Sequence, residues 1–290
     1  MKTFVPEIPR LMLGVSSLCQ PVRTTRDRQL EVVSRFKEPE SLAVALVKAV
    51  GAGAEVLVVP PTNDVREALA ELKKDLPLVV RTPHTPVADD LRWEPPLALE
   101  PTDDGGAWGS RAGARAMNLL PMSLAADLAS RVLPRMEREC ATFTARSLRG
   151  ALVPALVTDL ALAAGQPRFF ERVIKSARHR FRMVGFETRN LGHLLEKLGV
   201  WNLTPDFVVG AVNPRGVGMM PDADTVLAAI KASPIKVIGN ELRAGGLVSL
   251  EEGVRFARQR GVWGVCAELV DLDDVPKELK GLGAAKAAAA

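Results

Sequence analysis

The chain has 290 residues, 47% of them hydrophobic, and a formal charge of +4, which is enough apolar material for one large core. Lys and Arg are interspersed with Asp and Glu, with no block of like charge and no basic–aromatic alternation, a pattern that argues against nucleic-acid binding. No apolar run reaches the ~20 residues of a membrane span, no signal-peptide core follows Met1, and Cys19, Cys140 and Cys266 match no zinc or redox spacing, so reduced thiols in a cytoplasmic protein are expected.

Strand-length apolar runs then alternate with helix-length segments. Leu11–Ser16 reads as a first strand. Glu38–Val50 reads as a helix, with Pro39 in its first turn and Gly51 and Gly53 at its end. Glu55–Val59 is a second strand, Asp64–Lys74 an amphipathic helix, and Leu78–Arg81 a third strand. From there to about Asn118 the chain is rich in Pro, Gly and Asp, too long for an ordinary connection, and reads as an insertion over one end of the domain. It carries Trp93 and Trp108. Leu119–Arg149 reads as mostly helical, with a break at Pro134. Ala151–Thr158 is a fourth strand despite Pro154, followed by a helix over Pro167–Arg180. Arg182–Glu187, Asp206–Val212, Ile235–Gly239 and Val262–Ala267 complete a set of eight strands. Helices are expected at Leu191–Leu198, stopped by Gly199, at Asp222–Ala232, after the Ser249/Glu252 capping box, and at Asp271–Leu279.

Eight strands separated by helices call for parallel pairing with crossover helices. A closed barrel and an open doubly wound sheet share that signature. The count of eight, and the absence of Gly-x-Gly-x-x-Gly after the first strand, favour a (βα)₈ barrel over residues 1–282 with a long insertion after strand three. Residues 283–290, Gly-Ala-Ala-Lys-Ala-Ala-Ala-Ala, are a low-complexity tail expected to be disordered.

In such a barrel the residues just past each strand converge on one face, and chemistry sits there. Those positions hold four carboxylates, Asp159, Glu187, Glu241 and Glu268, and four arginines, Arg81, Arg189, Arg215 and Arg243, together with Thr62, His84, Asn213 and Asn240. Two readings stand side by side. The charges pair with one another to close the barrel top, or they form an anion-binding mouth with a carboxylate base. On the second reading Arg81, Arg189, Arg243 and Asn213 hold a small anionic molecule, and Glu187, Asp159 or Glu241 moves a proton. Arg81 is expected to point into the mouth, with Asp159 as its protein partner. Gly245 and Gly246, between strand seven and its helix, either expose backbone N–H groups to a phosphate or carboxylate or only permit a tight turn. No metal site is expected, because only His84 lies in reach of the carboxylates. His179 and His193 read as surface residues and Cys266 as packing. No cofactor, nucleic-acid or membrane partner is indicated by these residues, and the oligomeric state stays open.

From about residue 180 onward the chain resembles the aldo/keto reductase superfamily. Met183-Val-Gly-Phe-Glu-Thr-Arg-Asn190, Asp206-Phe-Val-Val-Gly-Ala-Val-Asn-Pro214 and Val237-Ile-Gly-Asn-Glu-Leu-Arg-Ala-Gly-Gly-Leu-Val-Ser-Leu-Glu-Glu252 are similar to that family's strands five, six and seven, and Val254-Arg-Phe-Ala257 continues the last helix. The resemblance covers about a third of the chain and implies the barrel. The family's Asp, Tyr, Lys and His tetrad does not carry over: the chain contains no tyrosine, the Lys position falls on Arg81, the Asp position on the run Val56–Val59, and Asp159 stands where a His is expected. The pair that holds nicotinamide reads Glu187-Thr188, and the strand-six Gln reads Val209. A shorter similarity, about ten residues around Gly245-Gly246, links the chain to ribulose-phosphate-binding barrels. The resemblance implies a reductase-like barrel without the reductase tetrad; the charged strand ends add the expectation that it binds or transforms a small anionic metabolite at the C-terminal face of the barrel, the alternative being a non-catalytic binding or assembly subunit derived from the reductase fold.

Overall fold

The computed structural model describes residues 7–19, 30–31, 34–36, 38–51, 53–72, 74–84 and 128–268. From residue 85 on, the insertion expected up to about Asn118 with Trp93 and Trp108, the first part of the helical segment expected from Leu119, the helix expected at Asp271–Leu279 and the tail at 283–290 lie outside the described residues. Eight strands form a closed barrel in chain order: β1 (Leu11–Gly14), β2 (Val56–Val59), β3 (Leu78–Arg81), β4 (Leu148–Val153), β5 (Met183–Glu187), β6 (Phe207–Ala211), β7 (Val237–Asn240) and β8 (Gly264–Glu268). Every pairing is parallel, and β8 pairs with β1 to close the ring. The helices are α1 (Ser16–Cys19), α2 (Pro39–Gly51), α3 (Asn63–Ala70), α4 (Leu128–Cys140), α5 (Ala155–Ala163), α6 (Pro167–Arg178), α7 (Leu191–Val200), α8 (Ala223–Ala232) and α9 (Leu250–Gln259).

The strands are buried on both faces, which explains their near-continuous apolar runs. Alternation sorts their side chains into two cores. Met12, Val56, Val58, Val79, Leu152, Met183, Phe207, Val209, Ile238 and Cys266 fill the barrel interior. Leu13, Leu57, Val59, Val80, Val153, Val184, Phe186 and Val265 point outward into the larger core beneath the helices. Inside, small residues stand beside large ones: Gly150 makes room for Met183 and Gly185 for the Phe207 ring. Outside, Phe170 of α6 lies 5.1 Å from the Phe186 ring and 5.5 Å from Trp201.

Several boundaries differ from the sequence expectation, each for a local reason. β4 begins at Leu148 and ends at Val153, and Pro154 starts helix α5 rather than interrupting a strand. Thr158 and Asp159 therefore lie within a helix, not at a strand end. Helix α4 runs through Pro134 without a break; that ring sits on the exposed face, where a lost backbone bond costs least. Helix α7 passes through Gly199, and the left-handed residue that ends it is Asn202, at φ 54°. Helix α9 is capped as expected, Glu252 N–H donating to Ser249 Oγ at 3.2 Å, and is followed by Gly261 at φ 80°.

Candidate functional site

One end of the barrel is sealed. Before β8, Trp263 donates from Nε1 to the Ile8 carbonyl at 3.0 Å, and the Arg10 and Lys236 side chains each lie 4.1 Å from its ring centroid. Ile8, Lys236 and Trp263 all precede their strands, so this plug is at the N-terminal face. The other face carries the polar residues.

Three charged side chains extend the interior-facing alternation to the C-terminal strand ends. Arg81 follows Val79 on β3, Glu187 follows Met183 and Gly185 on β5, and Glu268 follows Cys266 on β8. Arg81 Nε donates to Glu187 Oε2 at 2.7 Å, with the two side chains 26% and 17% exposed. Arg81 thus points into the mouth, and its partner is Glu187 on β5; the expected pairing with Asp159 is not formed because Asp159 has moved onto helix α5. The charges surround the Cys266 thiol, which burial pushes well above its usual range, with Glu268 and then Glu187 pushing the same way and Arg81 opposing. Cys266 is a protonated packing residue, as its sequence context implied.

Asp159 and Asn213 are engaged in shaping the loops beside the mouth. Asp159 accepts from Thr188 Oγ1 and, at 3.1 Å, from the Arg189 backbone N–H, so it fixes the turn between β5 and α7. Burial raises its pKa above the ordinary aspartate value, against the lowering effect of those two hydrogen bonds. The Arg189 side chain is exposed. Asn213 is 1% exposed and clamps the loop after β6: its Oδ1 accepts from Arg215 and Val217 backbone N–H groups at 3.2 and 3.0 Å, and its Nδ2 donates to the Val217 carbonyl at 2.7 Å.

The loop after β7 is conformationally unusual. Glu241 and Ala244 have φ 51°, Gly245 70° and Gly246 96°. Two non-glycine residues in the left-handed region store strain of roughly 1–3 kcal/mol each. Carbonyls are turned back on the loop, Arg243 O accepting from Gly246 and Val248 N–H at 2.9 and 3.2 Å. Gly245 and Gly246 border open space, whereas a side chain at Gly253 of α9 would overlap the Leu242 carbonyl, so helix and loop are pressed together. Arg243 is half-buried and Glu241 exposed. The α9 N-terminus that follows already holds its Ser249 cap and carries Glu251 and Glu252 in its first turn.

A further cluster escaped sequence reasoning. After β3, Glu139 of α4 accepts from Thr82 Oγ1 at 2.5 Å and from His84 N–H at 2.8 Å, while Arg135 donates to Glu139 at 2.9 Å and to the His84 carbonyl at 2.8 Å. The i,i+4 spacing of Arg135 and Glu139 was visible; their long-range partner was not. Thr62 Oγ1 and Asn190 Oδ1, at the starts of α3 and α7, are buried oxygens without a protein hydrogen bond among the described residues. His193 lies 3.6 Å from Glu196 on a largely exposed turn of α7. Among the described residues no three His, Cys, Asp or Glu side chains are grouped to hold a metal ion, and no helix is long and apolar enough to cross a membrane.

A sealed N-terminal face, a parallel eight-stranded ring and charged strand ends at the opposite face define a (βα)₈ barrel protein. Its fold is similar to that of solved aldo-keto reductases. A Pseudomonas aeruginosa protein assigned to that group superposes with a TM-score of 0.57 at 11% identity, covering 94% of this chain and 88% of that one. Aldo-keto reductases from Brucella melitensis and Bacillus halodurans each give 0.51 at 12% identity, covering 93% and 94% of this chain and 88% and 86% of theirs. At such identity the likeness is one of fold. No protein-family profile matches the chain, and no curated protein does.

Proposed function

We propose that the C-terminal mouth binds a small metabolite bearing a carboxylate or phosphate, with Arg81 as its anchor and Glu187 placed to accept or return a proton. The observation that carries this reading is the Arg81–Glu187 pair, held at 2.7 Å on the inner ends of two rigid strands and still partly open to solvent. An ion pair at that depth stabilises a fold no better than well-packed apolar side chains of similar volume. Its position above an apolar interior is better accounted for by a ligand than by stability. A guanidinium offers five fixed donors and suits a planar or tetrahedral anion. The strained loop at Glu241–Gly246 borders the same face and supports the reading.

The resemblance to aldo/keto reductases brings a nicotinamide dinucleotide into consideration, and the residues present do not fit one. Glu187 is ion-paired where a neutral contact to the nicotinamide amide is needed. Glu251 and Glu252 flank the helix N-terminus where a phosphate belongs. The chain has no tyrosine to serve as the acid. These residues support no hydride step. A thermal-shift panel of sugar phosphates, di- and tricarboxylates and nicotinamide cofactors tests the reading, because a ligand that binds only the native state raises the melting temperature. Stabilisation by carboxylates or phosphates is expected. Stabilisation by a nicotinamide cofactor alone contradicts it, and silence across the panel favours a non-catalytic assembly role.

A further inference from the structure

We propose that Asp159, on α5, is a positioning residue for the mouth: through the Thr188 hydroxyl and the Arg189 backbone it sets the end of β5, and with it the place from which Glu187 meets Arg81. The inference deepens the anion-binding reading above and rests on it for the use to which the pair is put. The ladder between β4 and β5 runs from Gly150–Met183 to Val153–Phe186, while that between β5 and β6 reaches one residue further, to Glu187–Val209. Continued by one residue, the β4 register would set Pro154 against Glu187. Pro154 has no N–H to donate, and there the chain turns into α5. Among the described residues Glu187 therefore ends its strand with a ladder partner on the β6 side alone.

Asp159 takes over on the β4 side. Its Oδ1 accepts from Thr188 Oγ1, and its Oδ2 from Arg189 N–H at 3.1 Å. The same Thr188 oxygen accepts from Asn190 N–H at 2.9 Å, and Thr188 N–H donates to the Val209 carbonyl at 2.9 Å. The residues that follow Glu187 are thus tied to α5 and to β6 together, and Thr188 is 3% exposed, which leaves its hydroxyl no solvent to turn to. Helix α5 is itself fixed to the end of β4: Thr158 N–H donates to the Pro154 carbonyl at 3.1 Å, and the buried Thr158 Oγ1 to the Val153 carbonyl at 3.4 Å. Charge acts in the same sense. Burial does most to raise the Asp159 pKa, and the Glu187 carboxylate raises it further, so the two carboxylates feel one another. Their repulsion favours the Glu187 orientation that reaches Arg81. Groups that meet a ligand work only when contacts of this outer kind hold them to within about 0.5 Å.

The test measures the coupling of Arg81 to Glu187 in three backgrounds of the full chain. A double-mutant cycle on Arg81→Met and Glu187→Gln, read by urea denaturation, is run in the wild type, in Asp159→Ala and in Thr188→Val, which keeps the shape of the buried side chain and removes its hydroxyl. Thr188→Ser, which restores the hydroxyl, is the conservative control. The coupling is expected to fall by about half or more in Asp159→Ala and Thr188→Val and to keep its wild-type value in Thr188→Ser. The Arg81 Nε proton gives a second readout without denaturant. By NMR it should exchange with water roughly tenfold or more faster in the first two variants than in the wild type and Thr188→Ser. Should Asp159→Ala fail to fold, Thr188→Val carries both readouts. A role confined to stability would lower the urea midpoint of the variants and leave the coupling and the exchange rate at their wild-type values, and that result would overturn the inference. A coupling near zero in the wild type would overturn it equally. Neither readout uses a ligand, so silence across the panel of carboxylates and phosphates strikes the anion-binding reading and leaves the positioning by Asp159 standing.

Discussion

Arg81 and Glu187 are joined across β4 by a 2.7 Å bond between Nε and Oε2, although 106 positions separate them in the chain. Leu152, which lies between them in the sheet, pairs with Arg81 on one side and Gly185 on the other. Glu187 therefore stands one pleat above the Arg81 level, over Gly185, whose missing side chain leaves room for the Phe207 ring. A double-mutant cycle with Arg81→Met and Glu187→Gln, followed by urea denaturation, should give a coupling of about 1–3 kcal/mol, between the values for exposed and buried pairs. A coupling near zero would mean that the two groups are separately solvated.

The interior packing makes a second prediction. Because Gly185 faces the Phe207 ring, Gly185→Ala should destabilise the barrel by about 1–3 kcal/mol through overpacking. Adding Phe207→Leu should recover part of that loss. Chemical denaturation of the two single variants and the double variant reads this directly, and additive costs would contradict the contact between them.

Gly253→Ala bears on the loop after β7. Its new methyl would strike the Leu242 carbonyl, which is backbone and cannot rotate away. Helix α9 must then move from the loop that carries Glu241 and Arg243. The expected outcome is a lower melting temperature together with faster amide exchange over residues 241–248. Exchange rates unchanged from the wild type would show that loop and helix are not coupled.

Asp159 makes stability depend on pH. Its folded pKa is raised above the ordinary value of 3.8, chiefly by burial, so the folded state holds the proton more tightly than the unfolded chain. That contribution is fully present below the ordinary pKa and is lost as pH rises through the raised folded value. Carbon-13 NMR of the Asp159 carboxyl should show a midpoint above 3.8, and Asp159→Asn should flatten the stability profile over the same window. A midpoint below the ordinary value would mean that the hydrogen bonds from Thr188 and Arg189 outweigh burial.

Thiol chemistry supplies another check. Burial, with a smaller contribution from Glu139, pushes the Cys140 thiol up to about 12, and Cys266 is raised well above its usual range. In a Cys19→Ser variant neither should react with Ellman's reagent at about pH 8 until the protein is unfolded. Rapid modification of Cys266 in the native protein would show that the barrel interior is open to solvent, and of Cys140 that the core beneath the helices is.

The ring of eight strands was legible because each buried parallel strand is a short apolar run between helical segments, and the inward aim of Arg81 was expected from its place at the end of the third such run. What failed was local. Pro154 looked like a flaw in a strand, but it ends β4 and starts α5, and that shift carried Asp159 from a strand end to the role of loop anchor. Asn213 was visible as a polar residue after β6, yet its hydrogen bonds to a loop four residues away depend on a backbone path that sequence does not specify. Glu139, bound to Thr82 and His84, belongs to a helix on the far side of residues 85–127, and no local pattern links such distant partners.

The central claim is that Arg81 anchors an anionic group in the mouth, and the most direct measurement is the ligand-induced thermal shift of Arg81→Met beside that of the wild type, using the same carboxylates and phosphates. The variant should keep the circular dichroism of the barrel. Any ligand that stabilises the wild type at about 100 times its dissociation constant contributes about 2.7 kcal/mol, and in the variant that gain should vanish. An Arg81→Met protein that responds to the same ligands at the same concentrations as the wild type would contradict the account.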